Sequence, residues 1–253
     1  MLNRYRLDIS YDGTDYLGSQ RQTRGRTVQG ELEKALKIIF KTNLETVFSG
    51  RTDAKVHALN QVVHVDTPFA IDAAALCRGL NSTLEKDIRV EKVDCVPSEF
   101  HARFSAKLRT YHYYFSTEQI PVFLRNYITR VPYSCDLKRV DGIDTLLLGK
   151  KDFKHFGSTG SNQVSTIRTI LDVQLIQTEY HPFFTTAHIP IYRLSITADS
   201  FLYHMVRNVM GTLFEIMRGH YSIEEIKAMI ENNQKIYYTT AKPHGLYLAL
   251  VTY

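Results

Sequence analysis

The residues best placed by type and spacing to do chemistry lie in the run Gly50-Arg51-Thr52-Asp53-Ala54-Lys55-Val56-His57-Ala58. Asp53 stands two residues after Arg51 and two before Lys55, between two apolar, β-prone runs, Leu44 to Phe48 and Leu59 to Val65. Turns that join strands reach the surface, where a rigid scaffold presents reactive groups. Flanking positive charge favours the ionised carboxylate, and an ionised carboxylate is available as a nucleophile. The same residues also describe an exposed Asp–Arg pair that only tidies a turn, a common and weak feature.

Two further clusters carry chemistry-capable side chains. In the stretch from Arg103 to Tyr113, Tyr111 offers a flat face for a base and a phenol able to exchange a proton. It is equally a strand tyrosine of the kind that fills cores. In His204-Met205-Val206-Arg207-Asn208, Met205 and Val209 face inward, so Arg207 sits beside the buried face of a helix. An arginine so placed anchors a carboxylate or phosphate, or snorkels at the helix rim. The histidines show no H-E-x-x-H spacing, and neither G-x-x-x-x-G-K-[ST] nor G-x-G-x-x-G occurs. No metal or cofactor is expected, and protein side chains are expected to act unaided.

The elements that must position these residues are legible as hydrophobic periods. Tyr5, Leu7, Ile9 and Tyr11 alternate with Arg4, Arg6, Asp8 and Ser10, the pattern of a half-buried strand. A Gly- and Arg-rich loop runs from Asp12 to Arg26, and Val28, Leu32, Ala35, Leu36 and Ile39 then mark a helix. Strands flank the Asp53 turn, Asp72 caps a short helix bearing Ala75, Leu76 and Leu80, and a strand follows near Ile88 to Val96. That order is β-α-β-β-α-β. The second half is expected to repeat it. The alternating Arg109, Tyr111, Tyr113 and Phe115 form a strand, and a helix follows around Leu137 to Leu148, weakened by Gly142. Strands are expected at Thr166 to Ile176 and His188 to Thr197, and a helix from Ser200 or Phe201 to Met217. Ser222 and Glu225 fit a capping box for a further helix, and the chain closes on a strand, Leu246 to Val251. Two domains are expected, residues 1–104 and 105–253, in an α+β fold of two similar, ferredoxin-like halves.

Composition narrows the class. A chain of 253 residues with 44% hydrophobic and 23% charged residues has enough apolar mass for a globular core. No apolar run approaches the roughly 20 residues that span a bilayer, and the opening residues lack the apolar region of a secretory signal. Three scattered cysteines argue for a reducing cytoplasm rather than a disulfide framework. The net charge of +5, with 16 Tyr and 13 Phe interleaved among the arginines, suits a polyanionic partner. RNA readers use aromatic faces for unstacked bases and cations for phosphates.

Seven blocks, in order, carry a family resemblance over essentially the whole chain. They are Tyr11-Asp12-Gly13-Thr14, Arg26 to Glu33, Gly50 to Ala58, Phe100-His101-Ala102-Arg103-Phe104-Ser105-Ala106, Arg109 to Tyr113, Phe201 to Asn208, and Gly245-Leu246-Tyr247-Leu248. In these the chain resembles the tRNA pseudouridine synthase A family. The resemblance implies a continuous antiparallel sheet with helices on one side, lining a basic cleft, and a cytoplasmic homodimer that grips tRNA. It implies isomerisation of uridine to pseudouridine at positions 38, 39 and 40 of the anticodon stem-loop, with no metal or organic cofactor. By position, Asp53 is then the nucleophile, and Arg51 supports its charge and wedges out the target base. Tyr111 packs on the uracil, Arg207 pairs with the catalytic carboxylate, and the loop bearing Arg24 and Arg26 touches the tRNA backbone. One departure stands out: Ser19 precedes Gln20 where the family usually carries a tryptophan, which bears on the packing of that loop. Two other functions fit the same residues: a non-catalytic RNA-binding protein, and a hydrolytic N-glycosidase that releases free uracil.

Overall fold

The computed structural model describes residues 3–133, 135–158, 165–180 and 189–253. The fold is α+β, with five α-helices and ten strands among the described residues, most strand pairs being antiparallel. It divides into two compact units, Met1–Arg109 with Tyr247–Tyr253, and Thr110–Leu246.

In the first unit, β1 (Asn3–Tyr11) buries Tyr5, Leu7, Ile9 and Tyr11 on one face, as its alternation requires. Helix α1 (Val28–Phe40) starts at Thr27, whose side chain accepts from the Gly30 N–H, and stops at Lys41, which adopts φ 58°. Of the apolar side chains at helical spacing, Val28, Leu32, Ala35 and Leu36 are buried, and Ile39 is half-buried. Then come β2 (Thr46–Phe48), β3 (His57–Thr67), α2 (Ala73–Thr83) and β4 (Ile88–Val96). Asp72 caps α2 through the Ala75 N–H. Strand β1 lies between β3 and β4, antiparallel to both, with Asn3 opposite Thr67 and Arg4 opposite Val96. The β-α-β-β-α-β order of this half is as expected.

The second unit is less regular. Strand β5 (Leu108–Ser116) buries Tyr111, Tyr113 and Phe115, and β6 (Thr129–Arg130) pairs with it in parallel. The helix expected over Leu137 to Leu148 is broken. Leu137–Val140 form a 3-10 turn, Gly142 adopts φ 84°, and only α3 (Ile143–Leu147) is α-helical. A left-handed residue cannot continue a right-handed helix. After β7 (Gly149–Asp152), the long strands β8 (Ile167–Tyr180) and β9 (Ile189–Ala198) pair antiparallel from Ile170–Ala198 to Tyr180–Ile189; the expected first residue of the latter, His188, lies outside the described residues. Helix α4 is Met205–Met217, shorter than expected at its start. His204 sits at its N-cap with φ 61°, which stops the helix from extending back to Phe201. Helix α5 (Ile223–Glu231) carries the Ser222–Glu225 capping box. The final strand, β10 (Leu246–Thr252), pairs in parallel with β3, Tyr247 opposite His57, and so belongs mostly to the first unit.

Candidate active site

The turn that carries Asp53 runs from the end of β2 to the start of β3, and three neighbours pin it through backbone and side-chain bonds. From β3, the fully buried Gln61 accepts from the Ser49 hydroxyl at 2.6 Å and donates to the Gly50 carbonyl at 2.9 Å. From β1, the Tyr11 phenol meets the Thr52 hydroxyl at 2.7 Å. Burial pushes that phenol up to about 12, so it remains a neutral hydrogen-bonding group. From the loop before α1, Ser19 brackets Thr52: its hydroxyl accepts from the Thr52 N–H at 2.9 Å and its own N–H donates to the Thr52 carbonyl at 3.0 Å. Ser19 is fully buried. Ser19, which the sequence resemblance singled out, therefore holds the turn by hydrogen bonds.

The neighbouring glycines let this packing close. A Cβ on Gly13 would come within 2.1 Å of the Val56 carbonyl oxygen, and one on Gly18 within 2.8 Å of the Thr52 oxygen. The Gly13 N–H donates to His57 Nδ1 at 3.0 Å, and the imidazole stacks on Tyr247 of β10 with centroids 4.6 Å apart. Lys55, at φ 64°, completes the reversal. The result leaves Asp53 half-buried between an exposed Arg51 and an exposed Lys55. Its carbonyl accepts from the Val56 N–H at 3.2 Å, so its backbone is fixed as well.

Arg109 ties this turn to a second loop of the same unit. Its Nη2 donates to the Ser49 carbonyl at 2.9 Å and to the Arg103 carbonyl at 3.0 Å. Sequence reasoning named neither Gln61, Tyr11 nor Arg109 for this task, because their partners lie across the sheet rather than along the chain.

In the second unit Tyr111 is buried on β5, with Phe201 edge-on to its ring at 5.0 Å. Arg207 lies in the first turn of α4, beside the buried face as its position suggested. Its Nε donates to the Ala241 carbonyl at 2.8 Å, while the Ala241 N–H donates to the Arg207 carbonyl at 3.1 Å. Of the two loop arginines, Arg24 is exposed. Arg26 is engaged within the first unit: it pairs with Asp87 at 2.5 Å and lies 4.4 Å from the centre of the Tyr16 ring. The hydrogen bond to Asp87 raises its pKa. Among the described residues no group of three or more His, Cys, Asp or Glu is disposed to hold a metal ion.

Fold and sequence together define an isomerase that acts on tRNA. Residues 9–105 and 145–253 match the tRNA pseudouridine synthase family, and the chain belongs to that family. It is 39% identical over 254 residues to tRNA pseudouridine synthase A of Anoxybacillus flavithermus, covering 100% of this chain and 99% of that protein. The namesake of Thermosipho melanesiensis is 37% identical over 254 residues, covering 100% of each. That of Halalkalibacterium halodurans is 40% identical over 248 residues, covering 97% of this chain and 90% of the relative.

Proposed function

We propose that the protein converts uridine to pseudouridine at positions 38, 39 and 40 of the tRNA anticodon stem-loop, with Asp53 as the nucleophile. The observation that carries this reading is the turn itself. A half-buried carboxylate sits between two exposed cations on a turn held by Ser19, Gln61 and Tyr11. Such a support shell keeps a reactive group in one geometry. The reaction breaks the N1–C1′ bond, turns the uracil and joins C5 to C1′, while the C5 proton leaves and N1 gains one. It consumes neither water nor an oxidant. Asp53 serves it by holding the electron-poor C1′ or by adding to C6 of the ring, and a site that excludes water prevents hydrolysis.

The other assignments follow from this reading. Arg51 wedges the target base out of its stack, at a cost of about a few kcal/mol that backbone contacts offset. Tyr111 packs on the uracil and assists removal of the C5 proton. Arg207 pairs with the carboxylate, and Arg24 and Arg26 approach the tRNA backbone. The enzyme works as a cytoplasmic homodimer.

The test is to incubate wild type, Asp53→Ala and Asp53→Asn with tRNA and to map pseudouridine by mass. Wild type is expected to modify positions 38–40, and both variants to form none while binding tRNA within a small factor of wild type. Normal product from either variant would overturn the assignment. Free uracil from wild type would identify hydrolysis instead.

A further inference from the structure

A loop bordering the Asp53 turn presents an aromatic ring to solvent. Phe104 is 76% exposed, the highest value for a large apolar side chain among the described residues. A Phe left in water forgoes the gain of burial, so its exposure invites a reason. Its backbone is not loose. The Arg103 and Phe104 N–H groups both donate to His101 Nδ1 at 3.2 Å, and the Ser105 N–H donates to the His101 carbonyl at 2.9 Å. The His101 N–H donates to the Ser105 hydroxyl at 3.0 Å. The Ala102 N–H donates to His64 Nδ1 at 3.0 Å, and Tyr253 donates to the Ala102 carbonyl at 2.6 Å.

The side chains around the ring are those that receive a nucleobase. His101 backs Phe104 at 4.4 Å between centroids with 29° between planes. The exposed Arg103 has its guanidinium 5.6 Å from the ring centre, too far to stack closely. Lys107 is exposed two residues beyond Ser105. A fixed aromatic face flanked by cations matches the way single-stranded RNA is held, with bases on rings and phosphates on cations. Arg109 joins this loop to the Asp53 turn, since one nitrogen serves the carbonyls of Arg103 and Ser49.

We propose that Phe104, backed by His101, is a stacking platform for an unpaired RNA base next to the nucleotide being isomerised, with Arg103 taking the adjoining phosphate. The inference rests on the reading that the Asp53 turn acts on a tRNA loop. It assigns a specific subsite to the substrate.

The chain contains no tryptophan, so Phe104→Trp supplies a single fluorescent reporter at the platform. With transcribed, unmodified tRNA as the probe, Phe104→Ala is expected to weaken binding about tenfold, in the range found for losing one stacked base. Phe104→Trp is expected to retain wild-type affinity, and its emission to be quenched as tRNA saturates it. Quenching in the Phe104→Trp, Asp53→Asn double variant, which is expected to make no pseudouridine, separates the two readings: stacking needs no catalysis. Wild-type affinity in a folded Phe104→Ala variant, or unchanged emission at saturating tRNA, would overturn the platform. A change in self-association at unchanged tRNA affinity would also overturn it, by assigning the ring to a second copy of the chain. Should Phe104→Ala fail to fold, the emission measurement decides alone.

Discussion

Replacing Ser19 by Ala would leave the buried Thr52 N–H without the acceptor it now has at 2.9 Å. Stranding a buried donor costs about 1–3 kcal/mol, and here the cost falls one residue from Asp53. Ser19→Ala should therefore lower both the unfolding midpoint and the turnover of tRNA, with tRNA affinity held, while Ser19→Thr should recover part of each. Thermal melts and single-turnover rates check this, and wild-type turnover from Ser19→Ala would refute the positioning role. Position 19 stood out only through the family resemblance, which implies a tryptophan there. That resemblance did not reveal the bond, because Thr52 lies 33 positions away. Arg26 teaches the same lesson: its place in a basic loop says nothing of the ion pair that orients its guanidinium, because Asp87 lies 61 positions along.

At the scale of elements, helix propensity and packing give opposite signs at Gly211 in α4. Propensity alone says that Gly→Ala in a helix interior gains about 1 kcal/mol. A Cβ there would lie 2.2 Å from the Thr239 carbonyl oxygen, on the segment whose Ala241 bonds Arg207. Gly211→Ala is thus expected to destabilise, by about 1–3 kcal/mol as overpacking does, and denaturant unfolding reads the sign directly. Most element positions were legible beforehand, because alternation and helical spacing report which side chains must leave water. Strand β4, the Asp72 N-cap and the Ser222–Glu225 capping box are where the sequence places them. The failures sit where one residue's backbone overrides its neighbours' pattern. His204 at φ 61° starts α4 late, and Gly142 at φ 84° cuts the expected helix in two. The Asp53 turn was legible as a motif, whereas its supports, Gln61, Tyr11 and Arg109, required the sheet.

Across the molecule, three histidines couple stability to pH. Burial, helped by Arg4, lowers His64 to about 4. Burial also lowers His112, with Arg193 adding, and His155, with Lys154 adding. In the unfolded chain such groups titrate near the ordinary value of 6.5. Below that value the unfolded state takes up protons that the folded state refuses, so stability is full above it and falls as pH drops towards 4. The unfolding midpoint should decline through that window, and His64→Gln should make the decline shallower. A midpoint constant across it would contradict the shifts. The histidine that feels this most, His64, also holds the Phe104 loop through the Ala102 N–H.

Strand β10 has a consequence for biosynthesis. The strand that flanks His57 and Ala58 is drawn from residues that follow the whole second unit along the chain. As the nascent chain leaves the ribosome, the half bearing Asp53 emerges first but lacks a neighbour until translation of Tyr247 and its successors. The pairing of β3 with β10 therefore forms only after the intervening unit has been synthesised, whatever the speed of local folding, and a message terminated before Tyr247 yields the Asp53 turn without that buttress.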